Sequence, residues 1–145
     1  MKTTFQFFAI LFCVILITGC SKTGDVVLSP EAQVVKYLTG GINRVWRLNQ
    51  LFVKGVEQTL TGDQKKYTKT FTVDPAQKLI GAYTDSDGNY GEWFVTGGQT
   101  FQITFTTSGG GQYVVPYTIR GIGDDKLDIQ YTLNQQTIRE VYYAY

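Results

Sequence analysis

The sequence predicts an all-β domain, an eight-stranded up-and-down antiparallel barrel with a short N-terminal helix, and three observations carry that prediction. Phe101-Gln102-Ile103-Thr104-Phe105-Thr106 places apolar residues at odd positions and polar ones at even positions, the two-residue period of a strand with one wet face and one dry face. Leu127-Asp128-Ile129-Gln130-Tyr131-Thr132-Leu133 repeats the pattern, and Tyr113 to Ile119 lies between them. Glycine-rich turns join the three, as in an antiparallel meander whose dry face needs a core. Eight such segments leave two edges, which closure into a barrel removes.

In chain order the first signal is an address. Met1-Lys2 precedes an apolar run from Phe5 to Ile17, the length of a signal-peptide core and short of the roughly 20 residues of a membrane span. It ends in Ile17-Thr18-Gly19-Cys20, which resembles the lipobox of bacterial lipoproteins. The resemblance implies a leader over residues 1–19, a lipid on the Cys20 thiol and cleavage just before it. Several acyl chains, each contributing about 0.8 kcal/mol per buried CH₂, would then hold the domain on a bilayer. The expected address is the cell envelope at the outer membrane; Asp25 is the one acid close behind Cys20, so the periplasmic and surface faces both remain open. Residues 20–28 read as lipidated cysteine and flexible spacer, polar over Ser21 to Asp25, and residues 29–145 as the barrel domain.

Ser29-Pro30-Glu31 opens a helix: a hydroxyl for free amides, a proline that needs no donor, a carboxylate at the positive end of the dipole. Val34, Val35, Tyr37 and Leu38 give it an apolar side, and Gly40-Gly41 ends it. About ten residues of helix do not stand alone in water, so it is expected to plug one end of the barrel. The first strand runs from Val45 to Val53, with a slip of phase near Gln50 that a bulge would explain. A polar connection from Gly55 to Lys65 follows. The remaining strands are expected at 66–73, 78–84, 90–95, 99–106, 112–120, 126–133 and 137–143, separated by Asp, Asn, Pro and Gly turns.

Composition excludes several functions. Histidine is absent, which removes the commonest acid/base group near neutral pH and the commonest nitrogen ligand for metals. Cys13 and Cys20 both precede the domain, so no disulfide framework staples it. Thirteen basic and twelve acidic side chains nearly cancel, and no broad electrostatic field singles out nucleic acid or anionic membrane as a partner. Asp85, Asp87 and Asn89 have calcium-loop spacing, but Tyr90 and Thr96 stand where an EF-hand needs glycine and glutamate, so a hairpin turn is the simpler reading. Gly109-Gly110-Gly111 lacks the Lys-Ser/Thr of a phosphate loop. Asp124 and Asp125 fall in a turn rather than a cleft. No enzyme, metal or cofactor is expected.

A helix ending in Leu38-Thr39-Gly40-Gly41, then Trp46-Arg47-Leu48, Gly88-Asn89-Tyr90-Gly91-Glu92-Trp93 and alternating strands to a tyrosine-rich end resembles the lipocalin-like lipoproteins of Bacteroidota. The resemblance implies an eight-stranded barrel around a small ligand; Arg44-Val45-Trp46 replaces the Gly-x-Trp of vertebrate-type lipocalins. It also suggests that Arg139, in phase with Val141 and Tyr143, packs over Trp46. The opposite phase turns Ile138 and Tyr142 inward and leaves Arg139 in water.

The candidate ligand-binding residues are Trp46, Trp93 and Arg139 with the ring set Tyr67, Phe71, Tyr83, Phe101, Phe105, Tyr113, Tyr117, Tyr131 and Tyr143. Such rings with polar tips form an aromatic cup for an apolar or amphipathic molecule, or fill the core outright. The leading expectation is a lipid-anchored carrier without catalysis. A filled barrel that docks or inhibits an envelope protein is the alternative, and a sugar-binding accessory lipoprotein a second one. A transmembrane barrel is a further reading, since alternation alone does not say which face meets lipid.

Overall fold

The computed structural model describes residues 27–74 and 76–145; the leader and Cys20 lie outside the described residues. One helix, α1 (Pro30–Thr39), precedes nine strands: β1 (Asn43–Val53), β2 (Val56–Gln58), β3 (Thr68–Val73), β4 (Ile80–Asp85), β5 (Tyr90–Gly97), β6 (Thr100–Thr106), β7 (Gln112–Ile122), β8 (Lys126–Leu133) and β9 (Gln136–Ala144). All neighbours pair antiparallel in up-and-down order, and β1 also pairs with β9 from Trp46↔Ala144 to Val53↔Ile138. Eight strands therefore form the ring. The short β2 is extra: it folds back on the last residues of β1, Leu51 to Val53, beyond the point where β3 leaves that edge. The connection read as plain polar loop thus holds this strand and a single 3₁₀ turn, Gln64–Lys66.

The expected phase slip in β1 is present as a register shift between Leu48 and Gln50. Trp46 and Leu48 face inward before it; Phe52 lies outside after it, beneath the Arg139 guanidinium at 4.7 Å. Outer positions such as Glu92, Gln102, Arg120 and Gln130 are polar, while Phe71, Trp93, Phe101, Ile103, Leu127 and Ile129 are fully buried inside. That distribution is opposite to the outward apolar band of a transmembrane barrel.

Helix α1 closes the end formed by the start of β1. Ser29 Oγ accepts from the Ala32 amide at 3.2 Å, and Gly40 takes φ 61°, a left-handed turn that a side chain would strain. Its buried Val34, Val35 and Leu38 continue the barrel core. Two residues of β1 hold the helix C-terminus: Trp46 Nε1 donates to the Leu38 carbonyl at 2.8 Å, and Arg44 donates to Tyr37 O at 2.9 Å. The Arg44 guanidinium also stands 5.3 Å over the Trp46 ring. One cation thereby satisfies an orphan carbonyl, complements the negative end of the dipole and covers the tryptophan face.

Above the helix the lower barrel is filled by rings. Phe71 meets Trp93 and Phe101 edge-on at 6.3 and 5.9 Å, and Phe101 stacks on Tyr117 at 5.0 Å. Trp93 lies directly over Gly81, where an added Cβ would stand 2.7 Å from Nε1, and it donates to Thr72 O at 3.1 Å. A side chain at 81 would meet the Thr72 carbonyl of β3 even before the tryptophan ring, so both require glycine there.

Candidate functional site

The upper barrel differs from the lower because charge is buried there. Alternation along β3 turns Lys69 inward between Tyr67 and Phe71, and alternation along β9 turns Glu140 inward between Ile138 and Tyr142. Lys69 Nζ and Glu140 Oε2 form an ion pair at 2.8 Å over the inner face of β1, the strand between them, both residues more than nine-tenths buried. Tyr142 donates to the same oxygen at 2.7 Å, Tyr131 donates to Oε1 at 3.0 Å, and Lys69 reaches the Tyr117 hydroxyl at 3.4 Å. The ammonium lies 5.0 to 6.0 Å from the ring centres of Tyr117, Tyr142, Tyr67 and Tyr131. This is an aromatic cage, closed by a carboxylate and occupied by the chain's own lysine.

A second carboxylate sits towards the rim. Asp85 Oδ2 accepts from Tyr83 at 2.7 Å, Asn89 Nδ2 at 2.8 Å and Tyr67 at 3.0 Å, while Oδ1 accepts from the Asp87 and Asn89 amides at 3.0 Å each. The Asp85-x-Asp87-x-Asn89 spacing therefore builds a hairpin cap whose leading carboxylate is already occupied by donors. Among the described residues no three of Asp, Glu and Cys lie close enough to share a metal ion.

Each titration follows from burial and neighbours. Burial, the largest influence on Glu140, favours its neutral form, yet Lys69 and the Tyr142 and Tyr131 hydroxyls outweigh it and hold the carboxyl below its usual range. Burial likewise opposes the charge on Lys69, and Glu140 with the surrounding tyrosines reverses it, so the ammonium is kept well above its usual pKa. Asp85 is lowered despite partial burial, by Asn89, Tyr83 and Tyr67. Tyr67, Tyr83, Tyr117, Tyr131 and Tyr142 are all raised, with burial as the main cause.

A cleft of about 250 Å³ opens over this layer, lined by Leu48, Leu51, Asp63, Gln64, Tyr67, Asp87 and Glu140. The bulge in β1 turns Leu51 towards it, and the 3₁₀ turn supplies its lid-side wall. A wider depression of about 610 Å³ lies on the other side of the same loop, between β1 and β2, under Arg47, Glu57 and Lys65. It is larger but reaches none of the caged groups.

The predicted residues divide by depth. Trp46, Phe71, Trp93 and Phe101 are the fully buried filling of the lower half, where a ligand has no access without repacking. Tyr83 and Tyr117 are also buried; Tyr67, Phe105 and Tyr131 are half-buried around the upper layer. Tyr113 is 55% exposed on the rim, stacked on Phe105 at 5.7 Å. Two placements need correction. Tyr143 is on the outer face, because β9 runs in the opposite phase to the one that grouped it with the cup. Arg139 is outside, the second of the two phases open to it, with Ile138 and Tyr142 inward, and it binds Asp128 through two bonds of 2.7 and 2.8 Å; the cation over Trp46 is Arg44. Lys69, Glu140 and Tyr142 were missed, although Lys69 shares the phase of Tyr67 and Phe71.

Fold and site together define the class: a closed up-and-down antiparallel barrel of lipocalin-like architecture, with a ring-filled lower half, a caged ion pair and a small cleft at the mouth. No protein-family model matches the chain, and no curated protein matches it. A solved structure described as the de novo design of a fluorescence-activating beta barrel is similar at 13% identity and a TM-score of 0.42, over 77% of this chain and 97% of that one.

Proposed function

We propose that the protein is a cell-envelope lipoprotein, related to the lipocalin-like lipoproteins of Bacteroidota and anchored through acylated Cys20, whose barrel binds one small amphipathic molecule at its mouth without catalysis. The observation that carries this reading is the cleft in which Leu48, Leu51 and the Tyr67 ring stand beside the Glu140 carboxylate. Apolar walls with a few convergent polar groups are the ordinary make-up of a small-molecule site. The filled lower half limits the guest: its volume is at or below the roughly 300 Å³ at which such sites begin, so the ligand sits in the rim rather than deep in the barrel. The caged pair is poorly suited to catalysis. A protonated lysine has no lone pair to attack with, and a carboxylate that already accepts three bonds and is held in its charged form is a poor base.

Native mass spectrometry of the detergent-extracted full chain tests this. A small-molecule adduct that survives extraction and is lost in Leu51→Asp supports it. A protein that copurifies while no small molecule is found favours the alternative, a docking or inhibitory module. That second reading draws on the packed lower barrel and on the segment from Lys54 to Lys66, which stands at the mouth as strand, loop and 3₁₀ turn.

A further inference from the structure

The end closed by α1 carries apolar side chains that the fold does not use. Val27 is 88% exposed, Ile42 69% and Leu79 41%, with Leu28 beside them. They share one end of the barrel: a groove of about 270 Å³ runs from Leu28 and Val35 past Lys36 and Gly41 to Val73 and Lys78. Ile42 is the next residue after Gly41 and accepts from the Val73 amide at 2.9 Å; Leu79 follows Lys78 and accepts from the Val95 amide at 3.0 Å. Folding gains nothing by leaving these residues in water, and Lys36, Lys78 and the exposed Asp74 flank them, a net single positive charge.

We infer that this closed end is a membrane-docking face, laid on the headgroup and upper acyl region of the bilayer that holds the Cys20 lipid, with the mouth cleft pointing away. The inference rests on the lipid anchor proposed above. Its geometry is set by where the chain leaves the barrel. Val27, the first described residue, stands at this end, and Cys20 is seven residues before it, a separation of at most about 25 Å even when fully extended. An eight-residue strand such as β8 runs about 26 Å, or about 20 Å of barrel height at the usual tilt. Bringing the mouth to the bilayer would take nearly the whole tether stretched along the wall, whereas the closed end is reached with almost none. Exposed Val, Leu and Ile lower their free energy by entering the interface, and Lys36 and Lys78 lie level with phosphate groups there. The mouth also exposes Val56, Tyr113 and Leu133, so the short tether selects the closed end and the apolar patch there completes the contact.

In an acylated chain cleaved before Cys20 the thiol is blocked, so one introduced cysteine labels uniquely. Ile42→Cys, Leu79→Cys and, at the mouth, Leu133→Cys are made in the full chain, extracted, labelled with an environment-sensitive fluorophore and reconstituted into phosphatidylethanolamine/phosphatidylglycerol vesicles with or without doxyl-labelled lipid. The expected result is that doxyl lipid quenches the labels at 42 and 79, while aqueous iodide quenches them about threefold less than the label at 133. Equal iodide quenching at all three positions overturns the docking face. So does shielding at 42 and 79 that doxyl lipid does not affect, because a second copy or another protein then covers the patch. Intact mass decides acylation separately: a chain without acyl groups removes the anchor, and the same three cysteines, placed in a Cys13→Ser/Cys20→Ser background so that each labels alone, then decide after addition to the same vesicles whether this end enters lipid.

Discussion

Lys69 and Glu140 show what a single buried charge costs and what it does. Alone, either would neutralise or be driven out; together, with Tyr131, Tyr142 and Tyr117 completing their bonds, they remain ionised inside the barrel. Lys69→Met leaves Glu140 without its cation and is expected to destabilise the domain by about 3–5 kcal/mol. The double variant Lys69→Met/Glu140→Gln keeps an acceptor for the two tyrosines and is expected to recover most of that loss. Urea midpoints for the two single variants and the pair, treated as a cycle, measure the coupling directly. Additive losses would show that the pair is incidental to stability. The same two positions explain why the sequence hid the site. A lysine and a glutamate in inward phase look like a lapse in alternation, and only ring closure, which sets β3 and β9 on either side of β1, turns two lapses into one neutral pair.

Among the elements, α1 depends most on a neighbour. Its ten residues are too few to be helical alone, and beyond its own left-handed Gly40 cap the Tyr37 and Leu38 carbonyls are answered by side chains of β1. Trp46→Phe keeps a ring but removes the donor to the buried Leu38 carbonyl, an expected cost of about 1–3 kcal/mol. Amide exchange over residues 30–39 is expected to quicken more than exchange in β6 and β7; uniform quickening would mean that the helix is held by apolar contact alone. Nearly all of this element was legible in Ser29-Pro30-Glu31 and Gly40-Gly41, because capping chemistry is local. The strands of the meander were legible for the same reason. Strand β9 was not fully so, since Ile138 to Tyr143 is apolar or bulky in both phases and periodicity cannot choose between them.

The whole barrel is tied together inside by ionised groups, so its stability depends on pH in two directions. Glu140 and Asp85 have lowered folded pKa values, so their contribution is complete above the unfolded range of about 4 and is lost as pH falls through the folded values. Lys69 and the buried tyrosines have raised values, so theirs is complete below about pH 10 and is lost as pH rises through the folded values. A plateau from about pH 5 to 9 with falling stability on both sides is expected. Glu140→Gln should shallow the acid limb, and urea midpoints taken across pH would show it. An unchanged acid limb would assign acid unfolding to surface carboxylates.

By itself the sequence determined the class of fold, the order of its strands, the bulge in β1 and the capped helix, because periodicity and turn chemistry act over a few neighbouring residues. Closure decided the rest. The β8–β9 register turned Arg139 out to Asp128, and only when β1 met β9 did Lys69 find Glu140 seventy-one residues away. Which residues share the interior is set by register between distant strands, and register is a property of the closed ring.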